Sequence, residues 1–353
     1  MNINPASPLQ SQSASVQPAE SIATSPSFGA PPHPPAHASA AQSGTLSSTG
    51  DASARRLRAA LPALVEAHLP LHEAITCGDY RAVIDYLDAG VDPGQTNANG
   101  VTPLMLAVLA GDHDIIEKLL DYGADTRSRD GSGNTVLHLA VTRGDLATLA
   151  VLIETAGPDL DINATARRNM TPLHLATQAG DREKIDVLVG SGRVRPNLRN
   201  FDGKAALHTA AEAGAVNLVE TLMQVPGIDL NCRSVTGSTP LMHAAAGNTQ
   251  NHYNAVHTLL MAPQINVNLR DERGHSALHQ AVYCNDVATT VELLTHPGIE
   301  PEAAYPMLVS PGLIRDEVLP AYRAARGVPV SVTDAEFLEI ERVRRDAARI
   351  AQQ

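Results

Sequence analysis

The stretch Thr171-Pro-Leu-His-Leu-Ala176 decides how this chain of 353 residues folds, because close copies of it return along the sequence. Aligned on their central leucines, the seven copies are separated by 33, 33, 36, 34, 34 and 37 residues. The anchor leucines are Leu71, Leu104, Leu137, Leu173, Leu207, Leu241 and Leu278. A nearly fixed period of this length predicts a solenoid, in which each repeat buries its apolar side against its neighbours.

The repeated phrase has the features of a helix start. Thr171 can cap the helix, and Pro172 suits the first helical position because the N–H it lacks would have no intrahelical partner. A glycine four residues before the anchor predicts a tight turn, since glycine tolerates a left-handed backbone. Five copies carry it, and Asn169 replaces it in the fourth: Gly100, Gly133, Gly203, Gly237 and Gly274.

This pattern resembles the T-P-L-H-x-A signature of the ankyrin repeat family, over roughly residues 65–301. The resemblance implies an all-α fold, a solenoid of about seven helix-turn-helix repeats with short β-hairpin fingers. It also implies a protein-binding module whose fingers and first helices form a concave surface. The family's histidine in this phrase makes structural hydrogen bonds between neighbouring repeats, and here it is His72, His138, His174, His208 and His279.

Five histidines at equal spacing also raise the possibility of a metal ladder. Equivalent residues of packed helices lie about 8–10 Å apart, which is too far for two of them to bind one ion at about 2.0 Å each. Cys77, Cys232 and Cys284 are widely spaced and form no CxxC pair, which favours buried structural thiols in a reducing compartment. We therefore predict no metal and no cofactor.

Catalytic patterns are missing from the sequence. Neither a GxxxxGK[ST] loop nor a GxGxxG fingerprint occurs, and no cysteine lies beside a histidine in the manner of a nucleophile and its base. We predict that the chain is not an enzyme. The alternative is an activity carried by residues 302–353, which do not fit the repeat.

Arginines recur at one position of the repeat, eight residues before the anchor leucine. Arg129, Arg199, Arg233 and Arg270 occupy it, while Arg167 and Arg168 fall close to it in the fourth copy and Arg273 flanks it. Stacking predicts a row of guanidinium groups along the fingertips, able to bind an acidic or phosphorylated protein partner. The alternative is that these arginines serve solubility alone.

Composition limits the other partners. The formal net charge of −12 argues against a nucleic-acid surface, and no run of about 18 apolar residues predicts a membrane span. Only 3% of the residues are aromatic and none is Trp, so leucine and alanine are expected to pack the core. We expect a monomer.

Residues 1–50 contain 11 Ser, 8 Pro and 9 Ala, one acidic residue and no Lys or Arg. Such a stretch buries too little apolar surface to fold, so we predict a disordered tail over residues 1–52. It resembles the serine-rich secretion signals of bacterial type III effectors, which act in virulence. Three of the 26 basic residues are lysine, a skew typical of GC-rich bacterial genomes. We expect delivery into a host cell by a non-Sec route; the alternative is a resident cytosolic adaptor or scaffold.

The repeat domain is predicted over residues 53–301, with a short helix at 53–65 covering its first repeat. Residues 302–353 are predicted to form a degenerate repeat and a C-terminal capping helix. Thr333 and Glu336 sit at capping-box positions, and Phe337, Ile340 and Val343 begin an apolar stripe. The alternative is that this helix docks on a partner.

Overall fold

A computed structural model of the protein describes residues 70–299 and Pro320. The part of the chain that it describes contains fourteen α-helices in seven consecutive pairs. The first helices of the pairs are α1 (Pro70–Thr76), α3 (Pro103–Ala110), α5 (Val136–Thr142), α7 (Pro172–Ala179), α9 (Ala206–Glu212), α11 (Pro240–Ala245) and α13 (Ala277–Tyr283). The second helices are α2 (Tyr80–Asp88), α4 (His113–Asp121), α6 (Leu146–Ala156), α8 (Arg182–Gly190), α10 (Val216–Met223), α12 (Gln250–Leu260) and α14 (Val287–Thr295).

The pairs stack into two layers of helices. Each first helix packs against its own second helix and against the first helix of the next pair, while second helices pack against second helices. One apolar cluster runs through the stack between the layers. The predicted repeat solenoid is therefore the observed architecture, with contacts mainly between neighbouring pairs.

Leucine and alanine build the interior, as the composition predicts. All seven anchor leucines are at most 4% exposed, and Ala140, Ala210 and Ala244 are completely buried. Small side chains at these places let neighbouring first helices approach closely. Within the described residues, the buried hydrophobic side chains are aliphatic apart from Met105, Met242 and Cys232, and none of them is Phe, Tyr or Trp.

Side chains at the helix starts explain where the helices begin. Thr102 and Thr171 accept hydrogen bonds on Oγ from the backbone N–H groups of Met105 and His174, at 3.2 and 3.3 Å. Most second helices begin instead after an aspartate whose carboxylate accepts a backbone N–H three residues later. These aspartates are Asp79, Asp112, Asp145, Asp181 and Asp286.

Six turns, which we call fingers, connect the pairs. Each is closed by a backbone hydrogen bond from the N–H of its first residue to the carbonyl of its last, at 2.8–3.1 Å. They are the first finger (97–101), the second (130–134), the third (166–170), the fourth (200–204), the fifth (234–238) and the sixth (271–275). The glycines expected in these turns have positive φ, such as +68° at Gly203.

The predicted β-hairpins are corrected to turns, because the described residues contain no β-strand. Four of the five neighbouring pairs of fingers are joined by a single backbone bond, as from the Gly131 N–H to the Asn99 carbonyl at 2.7 Å. Between the second and third fingers, the Arg129 side chain donates to the Thr165 carbonyl instead. In each finger the first residue makes two internal backbone bonds, and at most one backbone bond leads to the next finger, which is too few for a strand ladder.

Several sequence predictions lie outside the described residues. These are the N-terminal tail, the helix at 53–65, and the degenerate repeat and capping helix of residues 302–353.

Candidate partner-binding surface

The arginines of the predicted row lie on or beside the fingers. All seven are exposed: Arg129, Arg167, Arg168, Arg199, Arg233, Arg270 and Arg273. Four of them immediately precede a finger, and Arg129 and Arg167 line the same shallow depression between the second and third fingers. The fold therefore places these charges along one edge of the stack.

Part of this row also joins the repeats. Arg129 donates through Nη1 to the carbonyl of Gly133 at 2.8 Å and to the carbonyl of Thr165 in the next repeat. Arg233 donates in the same way to the carbonyl of Arg270. A guanidinium carries five N–H donors, so these bonds leave donors for a partner. The sequence did not predict this structural use.

Arg168 makes an ion pair across the third and fourth fingers. Its Nη2 lies 3.0 Å from both carboxylate oxygens of Asp202. The backbone of Arg168 is left-handed, with φ of +61°, as is that of Asn169 at +56°. A non-glycine residue in this conformation is strained. Both side chains of the ion pair are well exposed, and exposed ion pairs are weak because water screens them. The pair therefore contributes little stability and mainly cancels the charge of Asp202.

The recurring histidines link each repeat to the next. Nε2 lies 2.9–3.1 Å from a carbonyl of the following repeat in four of them, pairing His72 with Val101, His138 with Met170, His174 with Lys204, and His208 with Ser238. In His138, His174 and His208, Nδ1 on the other side of the ring accepts the backbone N–H of the residue three positions earlier. His279 accepts the Ser276 N–H at 3.1 Å in the same way. These bonds require a neutral ring protonated on Nε2.

Burial keeps four of these rings neutral. Desolvation is the main cause that lowers the pKa of His138, His174 and His279. It also lowers the pKa of His208 to about 4, helped by the neighbouring imidazole of His243, whose ring centroid is 5.5 Å away. His138, His174, His208 and His279 are therefore neutral structural groups at pH 7.

Asparagines form a second set of links that the sequence reading missed. Asn163, Asn197, Asn231 and Asn268 all lie ten residues before an anchor leucine. Each donates its side-chain amide to a backbone carbonyl of the next repeat at 2.7–2.9 Å. The first three also accept a backbone N–H there, each at 2.8 Å. The recurrence of asparagine at this one position of the repeat is the sequence feature from which these links could have been predicted.

Burial disfavours the thiolate form of two of the cysteines. Cys77, Cys232 and Cys284 are all free, but the expectation that they are buried is correct only for Cys232, since Cys77 is exposed and Cys284 is half-buried. Burial raises the pKa of the Cys232 thiol to about 12, and burial followed by Asp286 raises that of Cys284. No cluster of three or more His, Cys, Asp or Glu side chains suited to a metal occurs within residues 70–299.

A depression of about 740 Å³ lies where the fifth and sixth fingers meet α13. Thr236 and Arg273 line it from the fingers, and His279, Gln280 and Tyr283 line it from the helix. Tyr283 is 89% exposed. The fingers and first helices thus share a recessed surface, the general location that the family resemblance implied for partner binding.

Stacked helix pairs, buried repeat phrases and an exposed row of fingers define a helical repeat scaffold built for binding. A family profile described as ankyrin repeats (3 copies) matches residues 71–166, 144–234 and 224–304. The chain belongs to the ankyrin repeat family. No catalytic family is shown, and this fold is typically a binding scaffold without enzymatic activity.

Curated relatives share only segments with this chain. Alpha-latrotoxin-Lg1a of Latrodectus geometricus is 36% identical over 88 residues, which are 25% of this chain and 6% of the toxin. The B-cell lymphoma 3 protein homolog of Mus musculus is 31% identical over 110 residues, or 30% of this chain and 24% of that protein. The chain therefore spans less than a quarter of the length of these relatives.

The solved ankyrin repeat domain of Bcl-3, described as a unique member of the IkappaB protein family, is similar to the described fold. The TM-score is 0.56 at 26% identity, and the match covers 61% of this chain and 94% of that domain. None of the helices within residues 70–299 combines the length and apolar character needed to cross a membrane.

Proposed function

We propose that the chain, acting as a monomer, binds an acidic or phosphorylated protein partner through its fingers and first helices. The observation that carries the proposal is the exposed arginine row, set on consecutive fingers of a protein that is acidic overall. Guanidinium groups bind carboxylate and phosphate bidentately, and a row at fixed spacing adds selectivity for the partner's charge pattern.

The bonds within the row decide which arginines test the proposal. Reversing Arg233 or Arg270 also removes donors to finger carbonyls, which would confuse a binding defect with a folding defect. Arg167 and Arg199 are exposed on neighbouring fingers, and within residues 70–299 their side chains donate no hydrogen bond to another repeat. We therefore choose the double variant Arg167→Glu/Arg199→Glu.

The matched control is Arg81→Glu/Arg182→Glu, which makes the same change in net charge on the exposed surface of α2 and α8. The experiment is affinity capture from cell lysate, quantified by mass spectrometry, with both variants beside the wild type. We expect proteins retained by the wild type and the control to be lost from the finger variant. Identical captured sets for all three would contradict a binding role of the arginines.

We further propose that the protein is an effector delivered into a host cell by a type III apparatus. Support comes from the Ser, Pro and Ala composition of residues 1–50, which contain no Lys or Arg, and from the arginine-rich usage of the chain. Residues 1–60 would be fused to a reporter active only in eukaryotic cytosol and delivered from bacteria with and without the apparatus. Apparatus-dependent signal supports the effector, whereas a well-expressed fusion without signal favours a resident cytosolic adaptor.

We also propose that seven repeats make up the array and that residues 331–353 cap its C-terminal end. A solenoid needs a capping element because its last repeat otherwise exposes an apolar face. Deleting residues 331–353 should then lower the thermal midpoint of unfolding measured by circular dichroism. An unchanged midpoint with loss of partner capture would assign this segment to partner docking instead.

A further inference from the structure

Two large apolar side chains lie exposed at the tips of neighbouring fingers. Phe201 on the fourth finger is 72% exposed, and Val235 on the fifth is 61% exposed. A backbone bond joins the two fingers beside them, from the Val235 N–H to the Asp202 carbonyl at 3.1 Å. The equivalent position is Ala98 in the first finger and Gly131 in the second. The fourth and fifth fingers therefore share an apolar spot that the earlier ones lack.

The charges around this spot are mostly positive. The carboxylate of Asp202, next to Phe201, is held by the Arg168 guanidinium at 3.0 Å from both oxygens, which cancels its charge. Arg199 precedes the fourth finger and Arg233 precedes the fifth, and both are exposed. Glu272, at the tip of the sixth finger, lies beside the fifth finger, because its N–H donates to the Thr236 carbonyl at 3.0 Å. Positive charge and apolar surface thus coincide at the fourth finger, and Arg233 extends the positive charge to the fifth, where Glu272 lies beside it.

We infer that Phe201, Val235, Arg199 and Arg233, which we call the fingertip patch, bind an acidic peptide segment that carries a bulky apolar side chain. This inference rests on the proposed function and specifies the chemistry of the partner. Binding hot spots combine a desolvated aromatic or aliphatic anchor with surrounding polar contacts, and aromatic and Arg residues are enriched in them. The apolar pair supplies the anchor and the guanidinium groups select the acidic flanks.

Charge complementarity favours a peptide over an anionic membrane. Two side chains offer little area for insertion into a bilayer, and the net charge of −12 repels an anionic lipid surface as a whole. An acidic segment can instead contact the patch locally within about a Debye length of 8–10 Å, where the nearby arginines outweigh more distant acids.

A random peptide library displayed on phage and selected against the full chain tests this inference. We expect enriched peptides to combine Asp or Glu residues with Phe, Trp, Leu or Ile. A representative peptide would then be titrated by fluorescence anisotropy against Phe201→Ser/Val235→Ser. Affinity should fall by about tenfold or more, the loss typical of removing a hot-spot anchor. Met261→Ser is the matched control, because Met261 is also 72% exposed but lies outside the fingers.

The outcomes separate this inference from the proposed function. If Arg167→Glu/Arg199→Glu weakens the peptide while Phe201→Ser/Val235→Ser does not, the arginine row binds and the apolar anchor is refuted. If neither variant changes the affinity, both proposals fail for this surface. Enriched peptides without acidic and apolar residues together overturn the inference. Phe201-dependent sedimentation with phosphatidylserine vesicles, without peptide binding, would reassign the patch to membranes.

Discussion

At the scale of single residues, two separate constraints favour glycine: a left-handed backbone and, at some positions, close contact between neighbouring fingers. Gly203 has φ of +68°, and a Cβ added there would lie 2.5 Å from the backbone nitrogen of Val235. Gly90 has φ of +88°, but a Cβ there would meet nothing within 4 Å. The two positions therefore differ in the space around them while sharing a left-handed backbone.

We predict that Gly203→Ala destabilises the protein more than Gly90→Ala does. The left-handed backbone should cost about 1–2 kcal/mol in both variants, while the overlap at residue 203 adds about 1–3 kcal/mol by forcing the fingers apart. Urea unfolding followed by circular dichroism measures both losses. Equal losses would mean that the fourth and fifth fingers separate at no cost.

Local chemistry explains which residues the sequence could predict. The anchor leucines, the finger glycines and the threonine caps were predictable because their roles depend on the repeat phrase and its immediate neighbours. The Arg168–Asp202 pair was not, because it depends on an unusual backbone at Arg168 and on the neighbouring finger. The exposure of Phe201 likewise depends on how fingers stack, although its place at a fingertip could be read from the alignment.

At the scale of elements, the histidine links between repeats make the free energy of unfolding depend on pH. The folded-state pKa of His208 is about 4, below the ordinary value of 6.5, because burial disfavours the charged ring. Between these values the unfolded chain binds more protons than the folded one, so stability rises with pH. The contribution is fully present above about pH 6.5 and is lost as the pH falls through about 4.

We predict that His208→Met flattens this dependence. Met105 and Met242 occupy the same position in other repeats, and the sulfur of Met242 lies 3.4 Å from the Thr239 nitrogen, where it can accept that N–H. The variant should be about 1–3 kcal/mol less stable at pH 7, since the Ser238 carbonyl loses its buried donor. The difference from wild type should shrink towards pH 4 in urea titrations. Parallel curves from pH 7 to pH 4 would contradict the titration of His208.

The sequence predicted the helices better than the fingers or the bonds between repeats. Helix pairs and turns followed from the period, but strands were expected in the fingers and do not form there. The asparagine links show a second limit, since the recurrence was visible in the sequence but its bonds required the neighbouring repeat. A repeat pattern therefore specifies what each unit is more readily than how two units join.

At the scale of the whole molecule, packing is mainly between neighbouring helix pairs, so the destabilisation caused by a core substitution should stay near the substituted repeat. Leu207 is completely buried in α9, which packs against α7, α10 and α11. We predict that Leu207→Ala costs about 2–5 kcal/mol and speeds amide hydrogen exchange most in these helices. Leu109→Ala, at a residue that is 42% exposed, is the matched control and should change little. Uniform loss of protection across residues 70–299 would show a single cooperative unit instead.

The same nearest-neighbour bonding bears on how such a gene can change length. Excising residues 171–204 would join Met170, whose carbonyl accepts from His138, directly to Ala205, whose N–H is accepted by His208. The new junction would offer the same donors and acceptors as the two it replaces. Unequal recombination between repeats can therefore shorten or lengthen the array without redesigning its joints, while the side chains of each finger are free to diverge.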